Sequence, residues 1–452
     1  MTTRPRRHFL KTIGGTVLGA TLSRPCLRAQ PPPTRILIIG GGIAGLGAVE
    51  RLRNAGFHTV LIEARDRLGG RVWTHPDGLD LGASWIHGRR GNPLMELVAI
   101  TKARTFGFDY EKIGRYSPKG QLSDEVSARI EANFGTISQA IRRAQRSATL
   151  TDRLSKTVNP VIAALPATER NGGRYAVNVS ITHEYAADPS ALSLAYYDHG
   201  ADPTGGDLLL PDGYASLVTA LGRPAETHLG CPVRKIEWRG DKIVVETAQG
   251  PIEGRAAIVT LPLGVLKSGQ VQFSPELPTS HQTAIRHLGF GTLNKLFLRF
   301  PQVAWPREPN LFGFIGDGWW EEWVNFVPVN HQPVLLGFNA GSLAERSEAM
   351  SDQELVASAM KVLRAMFGAS LPDPVQATAT RWKRDPYSLG SYSSFAPGSS
   401  PQDRIALAAP IAPHLILAGE ACSPDHPATV HGALISGRTA AATLMKSLGE
   451  PR

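Results

Sequence analysis

Residues 35–71 read RILIIGGGIAGLGAVERLRNAGFHTVLIEARDRLGGR. The β-branched and Leu run Arg35–Ile39 predicts a strand and stops at Gly40-Gly41-Gly42-Ile43-Ala44-Gly45. A helical pattern follows, then a second apolar run, Thr59–Ile62, closed by Glu63. Strand, glycine turn, helix, strand and acid within roughly 30 residues is the pattern of a dinucleotide-binding βαβ unit. Gly40 permits the tight turn, Gly42 lets a pyrophosphate approach the backbone, and Gly45 lets the helix lie close on the strand. The free N–H groups and positive dipole end of that helix suit phosphate oxygens. Glu63 can accept hydrogen bonds from ribose hydroxyls. Glycine clusters also make ordinary loops; the flanking strand and helix decide for binding.

The stretch runs on through Glu63-Ala64-Arg65 to Leu68-Gly69-Gly70-Arg71, a second glycine turn carrying a cation. An NAD-binding unit does not usually need it. A cofactor with a longer, buried diphosphate does, which points to FAD; taken alone, Gly69-Gly70 is a surface turn. The expected fold class is α/β: a Rossmann-like FAD-binding domain, with a parallel sheet and the GxGxxG βαβ unit, plus a discontinuous α+β substrate domain.

At 452 residues, 19% charged and 42% hydrophobic, the chain can bury a large core and hold two or three domains. Past its N-terminal region, no segment has the roughly 18 uninterrupted apolar residues of a membrane span. Arg6-Arg7-His8-Phe9-Leu10-Lys11, the mildly apolar Thr12–Leu22 and Cys26-Leu27-Arg28-Ala29 read as a twin-arginine signal peptide over residues 1–29. A disordered basic tail is the other reading. The expectation is therefore a bacterial protein, periplasmic or secreted, exported by the Tat machinery, which carries folded chains. Residues 1–29 hold six cations and no acid, so the formal charge of +9 falls to +3 without them. That balance, with no basic stripe, excludes a nucleic-acid footprint. Cys231 and Cys422 lack CxxC spacing, and no His/Cys cluster suggests a metal. They are read as two unpaired thiols, with a disulfide as the alternative.

Pro31-Pro32-Pro33 reads as a stiff linker. Residues 93–165 carry largely helical spacing, as in Val126 to Ile141. Residues 206–222 hold a turn and then a short helix. Strands are expected at Val233–Trp238, Lys242–Thr247, Ala256–Leu261, 290–300, 333–340 and 414–419, and helices at 352–367 and Ala433–Leu448. Nucleotide-binding material at both ends and in the middle implies discontinuous domains: 35–110, 205–275 and 395–452 for FAD, 111–204 and 276–394 for substrate.

Four more segments carry chemistry: Asp80-Leu81-Gly82-Ala83-Ser84-Trp85-Ile86-His87-Gly88, Leu261-Pro262-Leu263-Gly264-Val265-Leu266-Lys267, Gly289-Phe290-Gly291-Thr292-Leu293-Asn294-Lys295, and Ala418-Gly419-Glu420-Ala421 continuing to Pro427-Ala428-Thr429-Val430-His431-Gly432-Ala433. At these residues the chain resembles the flavin-dependent amine oxidases, from about Arg35 to the C-terminus. Within that family it looks most like the polyamine oxidase branch, through the GASWIHG segment, Gly206–Tyr214 and Asp385–Tyr392.

The resemblance implies oxidation of an amine to an imine, which water hydrolyses to a carbonyl product, with O2 reduced to hydrogen peroxide. It implies that Ile43, Ala44, Ala64, Arg65, Gly70, Arg71, Gly82, Ala83, Ser84 and Trp85 line the cofactor site. Val233 lends backbone hydrogen bonds to the adenine, and Glu420 hydrogen-bonds the cofactor. Lys295, in an apolar strand, holds a water against the flavin and assists reoxidation; an arbitrary strand lysine would point to solvent. Trp382 and Tyr392 match aromatic positions near the flavin, and His87 matches a substrate-side histidine. Thr429 and Val430 precede the last helix, whose N–H groups can stabilise negative charge on the reduced ring. No cysteine stands in Ser423–Val430, which implies non-covalent FAD. Val430 replaces an aromatic residue of the monoamine oxidases. The demethylases' helical insertion is missing, which argues against a histone substrate.

Glu184 is read as a carboxylate for a second ammonium group or as an exposed helix-end acid. Trp319-Trp320 lines a cavity or packs in the core. Three other functions stay open: an L-amino acid oxidase with Arg89 or Arg90 holding the substrate carboxylate, a dehydrogenase passing electrons to a carrier protein, and a non-catalytic flavin-bearing binding protein.

Overall fold

Ile36 and Ile38 pack on one face of a sheet, Leu37 and Ile39 on the other. A strand buried on both faces reads as a continuous apolar run, and such strands belong to parallel sheets. The computed structural model describes residues 35–201 and 204–449. In it the strand Arg35–Ile39 sits inside a six-stranded sheet. The order is Pro410–Ala412, Leu415–Leu417, Ala256–Val259, Arg35–Ile39, His58–Ile62, Glu226–His228. All pairs are parallel except the one made by the edge strand Pro410–Ala412. Three distant stretches of chain therefore build one Rossmann-like sheet. The signal-peptide reading of 1–29 and the proline linker lie outside the described residues.

The helices Ile43–Asn54 and Val430–Leu448 cover one face through Leu46, Val49, Leu434 and Leu444. The other face is covered by a four-stranded sheet that includes Val233–Arg239 and Lys242–Thr247, and by the helices Thr279–His287 and Pro401–Ala408.

A second, seven-stranded sheet runs Gln376–Ala379, Leu293–Arg299, Val334–Ala340, Glu322–Asn325, Leu311–Phe314, Ile113–Ser117, Gly120–Gln121. It is antiparallel except where Leu311–Phe314 meets Ile113–Ser117. The helix Asp352–Phe367, started by a capping box between Ser351 and Glu354, packs Leu355, Met360 and Leu363 on one face. The opposite face carries Phe297 and Phe338 and meets Leu79 and Leu81.

Two sequence expectations need correction. The region 93–165 is not all helix: it holds strands at Phe106–Phe108, Ile113–Ser117 and Gly120–Gln121 besides the helices Leu94–Thr101, Asp124–Gln145 and Ser155–Ala164. Ile113–Ser117 is set by a partner nearly 200 positions away, which local periodicity does not register. The run 290–300 is two strands, Gly289–Gly291 and Leu293–Arg299. Between them Thr292 N–H donates to Ala186 O at 2.9 Å, and a Cβ on Gly291 would lie 2.2 Å from that oxygen.

Candidate active site

A cavity of about 1110 Å³ runs from the first glycine turn to the seven-stranded sheet. Gly40, Gly42, Ile43, Ala44, Glu63, Ala64, Arg65, Gly70, Arg71, Gly82, Ala83, Ser84, Trp85, His87, Val233, Lys295, Trp382, Tyr392, Glu420, Thr429 and Val430 all line it. Gly45 does not. It sits behind the wall, where a Cβ would come within 2.0 Å of Gly40 O. Helix and strand touch at this point, and only glycine fits.

The two glycine turns are laced together. Gly69 N–H donates to Gly41 O at 2.8 Å, and Gly42 pairs with Gly69. Gly40 has φ +106°, in the region that favours glycine. The Glu63 carboxylate accepts from Gly41 N–H at 2.6 Å and Arg65 N–H at 2.8 Å. Burial raises its pKa, against those two bonds. The Arg65 guanidinium is spent on a two-pronged pair with Asp385, both contacts 2.8 Å. A Cβ on Gly42 would meet nothing nearer than Gly69 O at 4.0 Å. The helix that begins at Ile43 has no side-chain cap and no acid in its first turn. Its leading N–H groups and the open face of Gly42 thus form a seat for an anion. These features and the cavity's volume fit a flavin dinucleotide.

Glu420, on a short turn after the strand Leu415–Leu417, anchors the other wall. Its carboxylate accepts from Arg71 Nη1 at 2.9 Å, Ser393 Oγ at 2.6 Å and Ala428 N–H at 3.1 Å. Burial pushes its pKa up, but Arg71 and the fully buried Arg404 outweigh that and hold it below its ordinary value. Thr429 caps the last helix by accepting from Gly432 N–H at 3.0 Å. Ala428 before it takes φ +61°, a strained backbone for a residue with a Cβ.

Lys295 lies in the strand Leu293–Arg299, in register with Phe338 and on the same face as Phe297. It is buried. Its ammonium donates to Asp80 O at 2.8 Å, and to Gly82 O and Ser84 Oγ. Burial drives its pKa down, and the Asp80 charge only partly restores it. Burial likewise raises the Asp80 carboxyl. Trp382 is buried edge-on to Trp73 and donates from Nε1 to Leu81 O at 3.3 Å. The Tyr392 hydroxyl donates to His183 O at 2.6 Å. Trp320 packs in the core behind the sheet with Trp319 against it, and neither lines the cavity.

His87 Nδ1 lies 2.9 Å from Asp207 Oδ2. A parallel arrangement on the far wall puts His183 Nδ1 2.7 Å from Glu322 Oε2. The chain reaches His183 through one π-helical turn, Asn178–Thr182, a feature frequent at functional sites. Asp207, Tyr110, His183, Glu322, Ser393 and Arg404 join the site without being expected from the sequence. Asp207 stands in the segment Gly206–Tyr214, the one local signal among them. The thiols Cys231 and Cys422 are both free and buried. Among the described residues no group of side chains is placed to hold a metal ion, and no helix is long and apolar enough to cross a membrane.

Residues 43–445 match the family of flavin containing amine oxidoreductases. A rice protein, "Polyamine oxidase 4", is 34% identical, with 96% of this chain and 92% of the relative covered. Rice "Polyamine oxidase 5" is also 34% identical, covering 91% of this chain and 87% of the relative. An Arabidopsis "Lysine-specific histone demethylase 1 homolog 1" is 34% identical over 92% of this chain and 52% of itself. The chain thus spans about half the length of the demethylase relatives it matches. These relatives are plant proteins, which overturns the expectation of a bacterial periplasmic or secreted protein exported by the twin-arginine route. The chain belongs to the flavin containing amine oxidoreductases, and FAD is its cofactor.

Proposed function

We propose that the chain oxidises an amine bearing more than one ammonium group to an imine, which hydrolyses to a carbonyl product and a smaller amine, with O2 as the electron acceptor. The charge of the cavity wall carries this reading. Of the lining cations, Arg65, Arg71 and Arg115 are paired with Asp385, Glu420 and Glu131, while Lys295 and Arg404 are buried at the ring end. Glu111, Glu184 and Asp425 also line the cavity and form no ion pair among the described residues. The negative field is felt by the phenols: after burial, Glu184 and Glu322 are the groups that raise Tyr392 and help raise Tyr110. Such a wall favours cations and disfavours a substrate carboxylate. Arg89 and Arg90, needed for the amino acid oxidase reading, are exposed and outside the lining.

The residues divide the work. Gly42 and the helix starting at Ile43 seat the diphosphate, and Glu63 and Val233 hold the ribose and adenine end. Arg71, Glu420 and the Thr429–Val430 helix start hold the ring end. Bound FAD supplies the hydride acceptor. Trp382 and Tyr392 wall the reacting carbon off from water. Lys295, fixed by the Asp80–Ser84 segment, places an amine group at the same end. The cofactor is held without a covalent link: Cys422, at the ring end, is buried outside the lining with its thiol pushed up to about 12 by burial, and Cys231 lines the cavity beside Val233, at the adenine end. Segments 35–110, 205–275 and 395–452 serve the cofactor, and 111–204 and 276–394 the substrate.

The test is anaerobic mixing of the FAD-loaded protein with diamines, triamines, monoamines and amino acids. Bleaching by the polycationic amines first, and peroxide on admitting air, is expected. Bleaching by amino acids alone sinks the reading. Slow reoxidation in air with fast turnover on an added carrier transfers it to the dehydrogenase class.

A further inference from the structure

The Asp207 carboxylate is spoken for on every side. Oδ1 accepts from Gly88 N–H at 2.9 Å, and Oδ2 from the Tyr110 hydroxyl at 2.9 Å and from His87 Nδ1. Gly88 follows His87 in the chain, so one carboxylate grips both the ring and the backbone next to it. The clamp is built by the sheet: Trp85–Ile86 pairs antiparallel with Leu208–Leu209, and Phe108 pairs with Asp207. Asn92 Nδ2 fixes the same turn by donating to His87 O and Gly88 O, each at 3.0 Å. The imidazole lines the cavity, and Nε2 makes no hydrogen bond among the described residues. A carboxylate on Nδ1 selects the tautomer with Nδ1 protonated. Nε2 is then a lone pair presented to whatever enters.

We infer that Asp207 is a positioning residue which, through His87, makes Nε2 the acceptor for the proton of the incoming alkylammonium. This rests on the amine reading above. In the step, the substrate N–H bond breaks and an Nε2–H bond forms. The bonding pair stays on the amine nitrogen, which becomes neutral, and the positive charge moves to the ring beside Asp207. Only the neutral amine has the lone pair that assists breaking of its C–H bond.

The surroundings agree. Burial alone would lower the His87 pKa, but the Asp207 hydrogen bond and the charges of Glu184 and Asp207 more than reverse this. A ring supported in this way is a stronger proton acceptor than an imidazole with no carboxylate beside it. On the last helix, His431 is driven to about 4 by burial and by His426 and His87, so it stays neutral and does not compete for the proton.

The test uses the full, FAD-loaded chain and three variants: Asp207→Asn, Tyr110→Phe and His87→Gln. Two quantities are read: the His87 ring-proton titration by NMR, assigned through His87→Gln, and the pH profile of anaerobic flavin reduction by a diamine. Asp207→Asn is expected to lower the His87 titration, carry the acid limb of the profile down with it, and slow reduction about 10²-fold. Tyr110→Phe removes a donor from the carboxylate, makes it a stronger partner for the ring, and moves both quantities up. Opposite movement in two variants is not what a loosened fold produces, and Tyr110→Phe answers alone if Asp207→Asn does not fold. An acid limb that stays put while the His87 titration moves overturns the inference. So does a titration that neither variant moves. Failure of wild type to bleach with any amine sinks the amine reading instead, and the NMR titration still reports on the clamp.

Discussion

Arg71 Nη1 and Glu420 Oε1 meet at 2.9 Å across 349 positions of sequence. The contact joins the second glycine turn to the loop before the last helix, and so closes the cofactor cavity. Arg404, wholly buried, donates to Ser393 Oγ, which in turn donates to Glu420. Glu420→Gln leaves the buried Arg404 and the half-buried Arg71 short of their counter-charge, and breaking a buried pair costs about 3–5 kcal/mol. Denaturant unfolding is expected to show that loss. The sign with pH follows from the depressed pKa. The carboxylate stabilises the fold above its unfolded value, near 4.5, and that contribution disappears as pH falls through the lower folded value. The stability lost in acid is therefore smaller in Glu420→Gln than in the wild type. An identical acid dependence in the two proteins contradicts this account.

Gly42 and Gly45 are three residues apart and should fail differently. Gly45→Ala drives a Cβ into Gly40 O, so the helix must lift from the strand and the protein should lose its cooperative unfolding transition. Gly42→Ala meets open space with ordinary backbone angles, so the fold should survive. Its methyl group occupies the diphosphate seat, and FAD affinity is expected to drop by at least about tenfold, or ~1.4 kcal/mol. Flavin titration followed by absorbance separates the two outcomes.

Lys295→Met removes a buried ammonium while keeping most of the side chain's length. The strand pairing to Val334–Ala340 does not depend on that side chain, so the fold should persist. Reduction of the flavin by an amine should be little changed, whereas reoxidation by O2 should slow by about 10²-fold, the usual scale for losing one electrostatic stabiliser. Stopped-flow absorbance of the two half-reactions measures both. Equal slowing of both halves argues that Lys295 only supports structure.

Glu184→Gln and Glu322→Gln each delete one negative charge from the cavity wall. KM for a triamine should rise about tenfold per substitution, the equivalent of ~1.4 kcal/mol. KM for an uncharged-tail monoamine should barely move. Steady-state oxygen uptake with matched substrates is the measurement, and equal changes for both amines exclude a second charge subsite.

The turn at Gly40–Gly45 is legible because its constraints are local: a buried strand, a tight bend and a helix start within a dozen residues. Lys295 is legible through its flanking motif. Asp207 is not, although it lies in a quoted segment. What makes it a partner for His87 is the pairing of Trp85–Ile86 with Leu208–Leu209, a contact made over more than 120 positions. Ile113–Ser117 escaped for the same reason, since its pairing with Leu311–Phe314 is a long-range choice. Arg404 and Ser393 are unremarkable letters until the fold buries them beside Glu420.

The helix Val430–Leu448 presses its Gly437 against Ala44, where a Cβ would stand 1.9 Å from the Ala44 carbonyl oxygen. A ribosome making this chain must therefore deliver nearly the whole polypeptide before the nucleotide cradle at Gly42 gains its outer wall. Flavin capture is therefore expected late in synthesis, and a chain ending at residue 420 should purify colourless.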